Sequence, residues 1–265
     1  GLQTPTLGCV RVLGRDMRRD ALSVAPLIGY LPQAHGIEEH LTLREYLEYY
    51  ALLTGRTMRH GASGGAAELP LQSAAQRESA ILRAAEQVNL RDVLGEKLGA
   101  FSGGMKQRAG IARILLHAPP VLVVDEPTAA LDPIERLKVR LTLRQLAQDR
   151  LVLFSTHIVQ DLEEACDRLA ILDRGRLVYE GDPDPLVRAW TGYIWETPET
   201  KEEEEIAAAL RGAGAQLLAR YVRGAQTGWK ALSAASPHPA SLRAPVTLED
   251  ALLAVLRTGR PRPET

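Results

Sequence analysis

Residues 121–126 constrain this chain more than any other stretch. Val121-Leu122-Val123-Val124 is a run of four β-favouring apolar residues, closed by Asp125 and Glu126. Such a run reads as a strand buried on both faces of a parallel sheet. Its two carboxylates then emerge at the carboxyl end, where open α/β sheets bind ligands. Asp125 is placed to hold a hydrated Mg²⁺, a hard cation that prefers carboxylate and water oxygens. Glu126 points elsewhere and can take a proton from an attacking water.

About twenty residues upstream stands Phe101-Ser102-Gly103-Gly104-Met105. Ser102 is a good helix N-cap, and the two glycines let backbone approach a ligand closely. Exposed N–H groups and the positive end of a helix dipole make that spot an anion site. Taken alone, Ser-Gly-Gly reads equally as a plain helix cap, and Asp-Glu as a solvated strand end. In this order, joined by one helix, they become specific.

With these motifs the chain resembles the ATP-binding subunits of ABC transporters over roughly residues 1–186. Phe101 to Met105 resembles the family's Leu-Ser-Gly-Gly-Gln signature, with Phe and Met at its ends. Val121 to Glu126 resembles the Walker B strand with the catalytic Glu, and Ala129-Ala130-Leu131-Asp132 the D-loop. The resemblance implies an α/β fold: a P-loop NTPase-like core over 1–36 and 111–188, a helical subdomain over 37–110, and a small C-terminal α/β appendage over 189–265. It implies ATP and Mg²⁺ as cofactors. Gln33, at the end of the strand Leu27–Gln33, resembles the Q-loop residue whose amide oxygen joins the Mg²⁺ shell with Asp125. His157, after Leu151–Phe154 and Ser155-Thr156, resembles the switch residue that reaches the γ-phosphate and orients Glu126 and water. Glu126 and His157 are thus the expected catalytic pair. Gln33, Ser102, Gly103, Gly104, Asp125 and Asp132 are the expected nucleotide contacts, the Ser-Gly-Gly serving the nucleotide of a second subunit.

The same resemblance implies a second ATP-binding subunit, a transmembrane permease partner, and a cytoplasmic place on the inner face of the cell membrane through that permease. A Thr247-Leu-Glu-Asp250 helix in the tail is similar to that of ABC-2 type exporters, which favours export over import. Two other readings stay open. One is an ABC-type ATPase acting on nucleic acid or ribosomes; such proteins usually carry coiled coils or a second cassette, neither of which is present. The other is a non-catalytic cassette that lends only its signature face.

One expected element is missing. No Gly-x-x-x-x-Gly-Lys-Ser/Thr occurs anywhere; Gly61 to Ala67 is Gly/Ala-rich but has no Lys. That Walker A loop holds the β- and γ-phosphates. Its strand would bury about four aliphatic side chains, at roughly 1.5–3 kcal/mol each. The loss amounts to about 10 kcal/mol, as large as a domain's whole stability of about 5–15. The expectation is therefore that the N-terminal strand and P-loop are absent from a longer protein's downstream part, and that this part alone is inactive.

The rest is consistent with a globular α/β chain. It has 265 residues, 45% of them hydrophobic, with Lys+Arg 32 against Asp+Glu 33. That balance gives no field favouring nucleic acid, so no nucleic-acid partner is expected. Cys9 and Cys166 make no disulfide framework, which fits a reducing compartment. No apolar run approaches the roughly 20 residues that span a bilayer, and no signal peptide is read at the start. In chain order, Cys9–Leu13 reads as a short strand. Thr42-Leu-Arg-Glu45 reads as a capping box opening a helix with Leu43, Tyr46, Leu47 and Tyr50 on one face. Residues 54–76 read as a flexible insertion, and Arg77–Val88 as a second helix. Lys106 and Arg108 read as solvated, although the family places basic residues near the opposing nucleotide. His117 reads as a helix C-terminal residue, and Leu151–Phe154 as a further buried strand. Asp161, Glu163 and Glu164 read as a solvated acidic face. Leu169–Leu172 and Arg176–Glu180 read as a hairpin, and Tyr193–Trp195 as a strand.

Overall fold

The computed structural model describes residues 3–34, 36–58, 73–199, 203–224 and 226–261. The chain divides into two compact units, Gly1–Asp161 and Leu162–Thr265.

In the first unit, β1 (Arg11–Val12) and β2 (Arg15–Asp16) pair antiparallel about Leu13 and Gly14, both at positive φ. A single turn, α1 (Ala21–Val24), leads to β3 (Ile28–Leu31). Three long helices follow: α2 (Leu43–Met58), α3 (Ala74–Gln87) and α4 (Gly103–Leu115). Then come β4 (Val121–Asp125), α5 (Pro133–Leu146) and β5 (Leu151–Ser155). A short helix, α6 (Val159–Ala165), carries the chain out of the unit.

The helices begin where local chemistry satisfies their first N–H groups. Glu45 accepts from Thr42 N at 2.8 Å, and Thr42 Oγ1 accepts from Glu45 N at 3.2 Å. Ser73 and Gln76 form the same reciprocal box for α3, three residues earlier than the pattern from Arg77 suggests. The stretch read as an insertion falls largely on 59–72, outside the described residues.

The sheet is parallel, in the order β3-β4-β5, with Ile28 opposite Val121 and Val121 opposite Leu151. Parallel neighbours need long crossovers. The chain supplies them as the α2–α4 excursion between β3 and β4, and as α5 between β4 and β5. The core gathers Leu43, Tyr46 and Leu47 of α2, Ile81 and Ala84 of α3, and Ile111 and Leu115 of α4 around Leu31, Leu122 and Val124 of the sheet. The stripe expected on α2 therefore lies inside.

β5 departs from the reading of a buried strand. Leu151 is 63% exposed and Leu153 60%. β5 ends the three-stranded sheet, so one of its edges is unpaired among the described residues and one face of its alternating side chains is open.

The second unit opens with an antiparallel hairpin, β6 (Leu169–Asp173) and β7 (Arg176–Gly181), turning at Arg174 and Gly175, both left-handed. After α7 (Pro183–Trp190) come β8 (Ile194–Pro198), α8 (Glu203–Gly212), β9 (Gln216–Arg223), β10 (Gln226–Leu232), β11 (Leu242–Arg243) and α9 (Leu248–Thr258). Their strands form one antiparallel sheet in the order β11-β8-β10-β9. Ile206 and Leu210 of α8 pack with Ala215, just before β9, and Ala231 of β10. The box at Thr247 and Asp250 caps α9 as expected, and Lys230 of β10 reaches Asp250 at 2.8 Å, fixing the helix to the sheet. No helix among the described residues is long and apolar enough to cross a membrane.

Candidate functional site

The carboxyl ends of β4 and β5 lie side by side, with Asp125 opposite Ser155. Ser155 has no role of its own in the sequence pattern, yet it ties the two ends together. Its hydroxyl donates to Asp125 Oδ1 at 2.5 Å. Ser155 Oγ, at 3.1 Å, and the Ser155 carbonyl, at 3.2 Å, both accept from Glu126 N.

Glu126 adopts φ +47°, the left-handed region. For a residue with a Cβ this costs about 1–2 kcal/mol, and such strain persists only where the surroundings over-determine it. The turn sends the Glu126 side chain to the next strand's loop. There His157 Nδ1 lies 2.9 and 3.0 Å from the two carboxylate oxygens. A carboxylate only accepts, so Nδ1 carries the proton and donates it. The structure thus brings Asp125, Glu126 and His157 together at one sheet end.

Gln33 follows β3 by two residues, at the same end of the sheet, and is exposed. Its side of the site faces the start of α4. Gln33, Ala34, Ile37 and Glu39 line a cavity of about 320 Å³ with Gly103, Lys106 and Gln107. Lys106 spans it, donating to Glu39 Oε1 at 2.6 Å, and this contact holds the Glu39 carboxyl below the usual carboxylate range. Lys106 is therefore paired and not simply solvated.

Ser102 caps α4, accepting from Met105 N at 3.2 Å. Gly103 and Gly104 occupy the first turn. The region after β4 packs against them: a Cβ on Gly103 would meet Leu131 Cδ2 at 3.4 Å, and one on Gly104 would fall 2.5 Å from Glu135 Cβ. Asp132 is the N-cap of α5, accepting from Ile134 N and Glu135 N at 3.0 Å each.

Two charged residues read as solvated are inside. Arg108 is 6% exposed. It donates to the carbonyls of Val88 and Asn89 at 3.1 and 3.3 Å and lies 3.4 Å from Glu135 Oε2, linking α4 to α5. Asp161 is 1% exposed, unlike its neighbours Glu163 and Glu164, which are exposed. The first turn of α6 directs it inward, where Thr128, Thr156 and Arg140 all donate to it. An acidic cluster in sequence does not reveal which member the helix turns toward the core. The hints were the threonines placed beside each catalytic candidate, at 128 and 156.

Among the described residues no group of three or more His, Cys, Asp or Glu could hold a metal ion alone.

Comparison with known proteins bears on the family and the fold. A family model described as ABC transporter matches residues 1–129. The ABC transporter ATP-binding protein YxlF of Bacillus subtilis is 35% identical over 186 residues, covering 70% of this chain and 56% of its own length. The Nod factor export ATP-binding protein I of Rhizobium meliloti is 34% identical over 188 residues, covering 71% of this chain and 51% of its own. The chain thus spans about half the length of these relatives. A solved ATP-binding subunit of an ABC transporter superposes with a TM-score of 0.54 at 27% identity, covering 71% of this chain and 72% of that one. The mixed α/β fold is that of the P-loop NTPase-like ATPases, and the chain belongs to the ABC transporter ATP-binding family.

Proposed function

We propose that this chain is the signature-, Walker B- and switch-bearing part of an ATP-hydrolysing subunit that powers a membrane exporter. The observation that carries the reading is the Glu126–His157 pair, held at 2.9 Å beside Asp125 at the end of a buried parallel strand.

In this reading Asp125 and Gln33 hold the Mg²⁺ of Mg–ATP, whose charge offsets that of the phosphates. Glu126 accepts the proton of a water attacking in line. His157 donates through Nδ1 to Glu126 and so keeps that carboxylate aimed; its Nε2 is left free for the phosphate or the water. Ser102, Gly103 and Gly104 present helix N–H groups to the nucleotide of a second subunit, and Asp132 closes the D-loop beside them. Opening and closing of that dimer drives a transmembrane permease, which would hold the chain at the inner face of the cell membrane. Export is supported by the relative named for Nod factor export and by the capped helix at Leu248–Thr258. The proposed divisions are a core over 1–36 and 111–188, a helical subdomain over 37–110 and an accessory domain over 189–265.

No Gly-x-x-x-x-Gly-Lys-Ser/Thr occurs in the 265 residues, so the test supplies one. Joined behind a segment carrying that loop, the chain should hydrolyse ATP only with Mg²⁺ present. Glu126→Gln should slow turnover by about 10²–10⁴-fold, the usual worth of a positioned base. Rapid turnover in the Gln variant would remove Glu126 from its role.

A further inference from the structure

Asp161 is a buried charge that the proposed chemistry does not use. Its Oδ2 accepts from the Thr128 hydroxyl and, at 3.3 Å, from the Thr156 hydroxyl; its Oδ1 accepts from Arg140 Nη1 at 3.1 Å. Thr128 follows Glu126 by two residues. Thr156 immediately precedes His157, and its hydroxyl also accepts from Ile158 N at 3.0 Å, which shapes the loop. Arg140 lies on α5, the helix that Asp132 caps. One carboxylate therefore gathers the segments bearing Glu126, His157 and Asp132.

A buried ion pair is a poor way to stabilise a core. Replacing one by apolar groups of equal volume is often neutral or favourable. What such a group supplies is fixed geometry, because a carboxylate accepts only along a few directions and tolerates no slip of its donors. Fixed geometry is what this site needs. Glu126 is strained at φ +47°, and its partner sits on a separate strand's loop with the His157 side chain 74% exposed to solvent. Packing around the imidazole does not hold it, so the loop's own backbone must.

We infer that Asp161 is a positioning residue, which locks the Thr128 and Thr156 segments in the one register where Glu126 meets His157. The inference rests on the roles proposed above for Glu126 and His157. Asp161 is 1% exposed and acts through the two hydroxyls.

The test reads His157 directly on the full 265-residue chain, without nucleotide. Long-range ¹H–¹⁵N correlation on histidine-labelled protein shows which ring nitrogen carries the proton. The His157 signal is assigned by its loss in His157→Gln. In the unsubstituted chain the proton is expected on Nδ1, and Glu126→Ala should release it. Asp161→Asn keeps the volume but weakens the pairing with Arg140. Thr128→Val keeps the shape and removes one hydroxyl. Both should lose the Nδ1 signature while far-UV circular dichroism still shows cooperative unfolding, and Thr128→Ser should retain it. If Asp161→Asn fails to fold, Thr128→Val decides, since it leaves the Asp161–Arg140 pair intact. A signature unchanged in folded Thr128→Val and Asp161→Asn overturns the positioning role and leaves the Glu126–His157 reading standing. A signature missing already from the unsubstituted chain overturns both.

Discussion

The two signature glycines are chemically identical and adjacent, yet the structure assigns opposite signs to their replacement by alanine. A Cβ on Gly104 would lie 2.0 Å from Glu135 Oε2, 2.5 Å from its Cβ and 2.7 Å from its Cδ. The carboxylate tip can rotate away, but the Glu135 Cβ is anchored to α5 and cannot. α4 and α5 must separate, or Glu135 must give up Arg108. Overpacking of this kind costs about 1–3 kcal/mol, and a loosened buried ion pair adds to it, up to about 3–5 if it breaks outright. Against this stands the gain of about 1 kcal/mol for replacing a helical Gly by Ala. The net for Gly104→Ala is a loss of about 3 kcal/mol, or about 6–12 °C in Tm for a unit this size. On Gly103 the nearest neighbour is Leu131 Cδ2 at 3.4 Å, the movable end of a flexible side chain. Gly103→Ala should therefore be neutral or stabilise by up to about 1 kcal/mol. Urea unfolding of the full chain followed by far-UV circular dichroism measures both. Equal shifts for the two variants, or an unchanged midpoint for Gly104→Ala, would refute the close approach of α4 to α5.

Three other outcomes are expected. Lys230→Met leaves the Asp250 carboxylate, 4% exposed, with only its capping partners. It should destabilise the second unit by about 2–4 kcal/mol, read by fluorescence because Trp190, Trp195 and Trp229 all lie there. Burial holds the His117 imidazole below its ordinary value of 6.5. The unfolded chain then protonates first on acidification, so stability is full above about pH 6.5 and falls as pH drops below it. His117→Gln should flatten the urea midpoint between about pH 8 and about pH 5. Burial also raises the Cys166 thiol, whose Sγ donates to Leu162 O at 2.9 Å, while Cys9 is exposed. A thiol-reactive dye should label Cys9 well before Cys166, and Cys9→Ser should abolish the fast phase.

The parts of the fold visible in the sequence were those with a local cause. Ser102, Thr42 and Thr247 announce helix starts because capping is settled within four residues, and all three cap as expected. Val121–Asp125 announces a strand because an apolar run with a carboxylate end has few other uses. What was not visible depended on neighbours. The burial of Leu151 and Leu153 requires material beside β5, which no property of Leu-Val-Leu-Phe supplies. β9 and β10 leave no clear strand pattern in the sequence. Their alternation is blurred by Arg220, Arg223 and Lys230, which pair with Glu199, Glu196 and Asp250 respectively and sit where a strand pattern leads one to expect apolar groups.

Charged residues mark the sharper limit. Arg108, Glu135, Arg140 and Asp161 are four charges in a chain whose charges mostly face water, and composition treats them like the rest. Helix periodicity places each on a face but does not say that two such faces meet. Arg108 and Glu135 are 27 residues apart, Arg140 and Asp161 are 21, and each pair closes only when β3, β4 and β5 align and bring α4, α5 and α6 together. The pairs are thus consequences of the sheet register. They in turn stabilise that register, because a slip of one residue along β5 would shift the Thr156–Asp161 segment by about 3.3 Å relative to Thr128 and Arg140, and part His157 from Glu126 in the same movement. The site at the sheet end and the buried charges beneath it are one construction, in which the costly polar core holds the strained residue that the proposed chemistry requires.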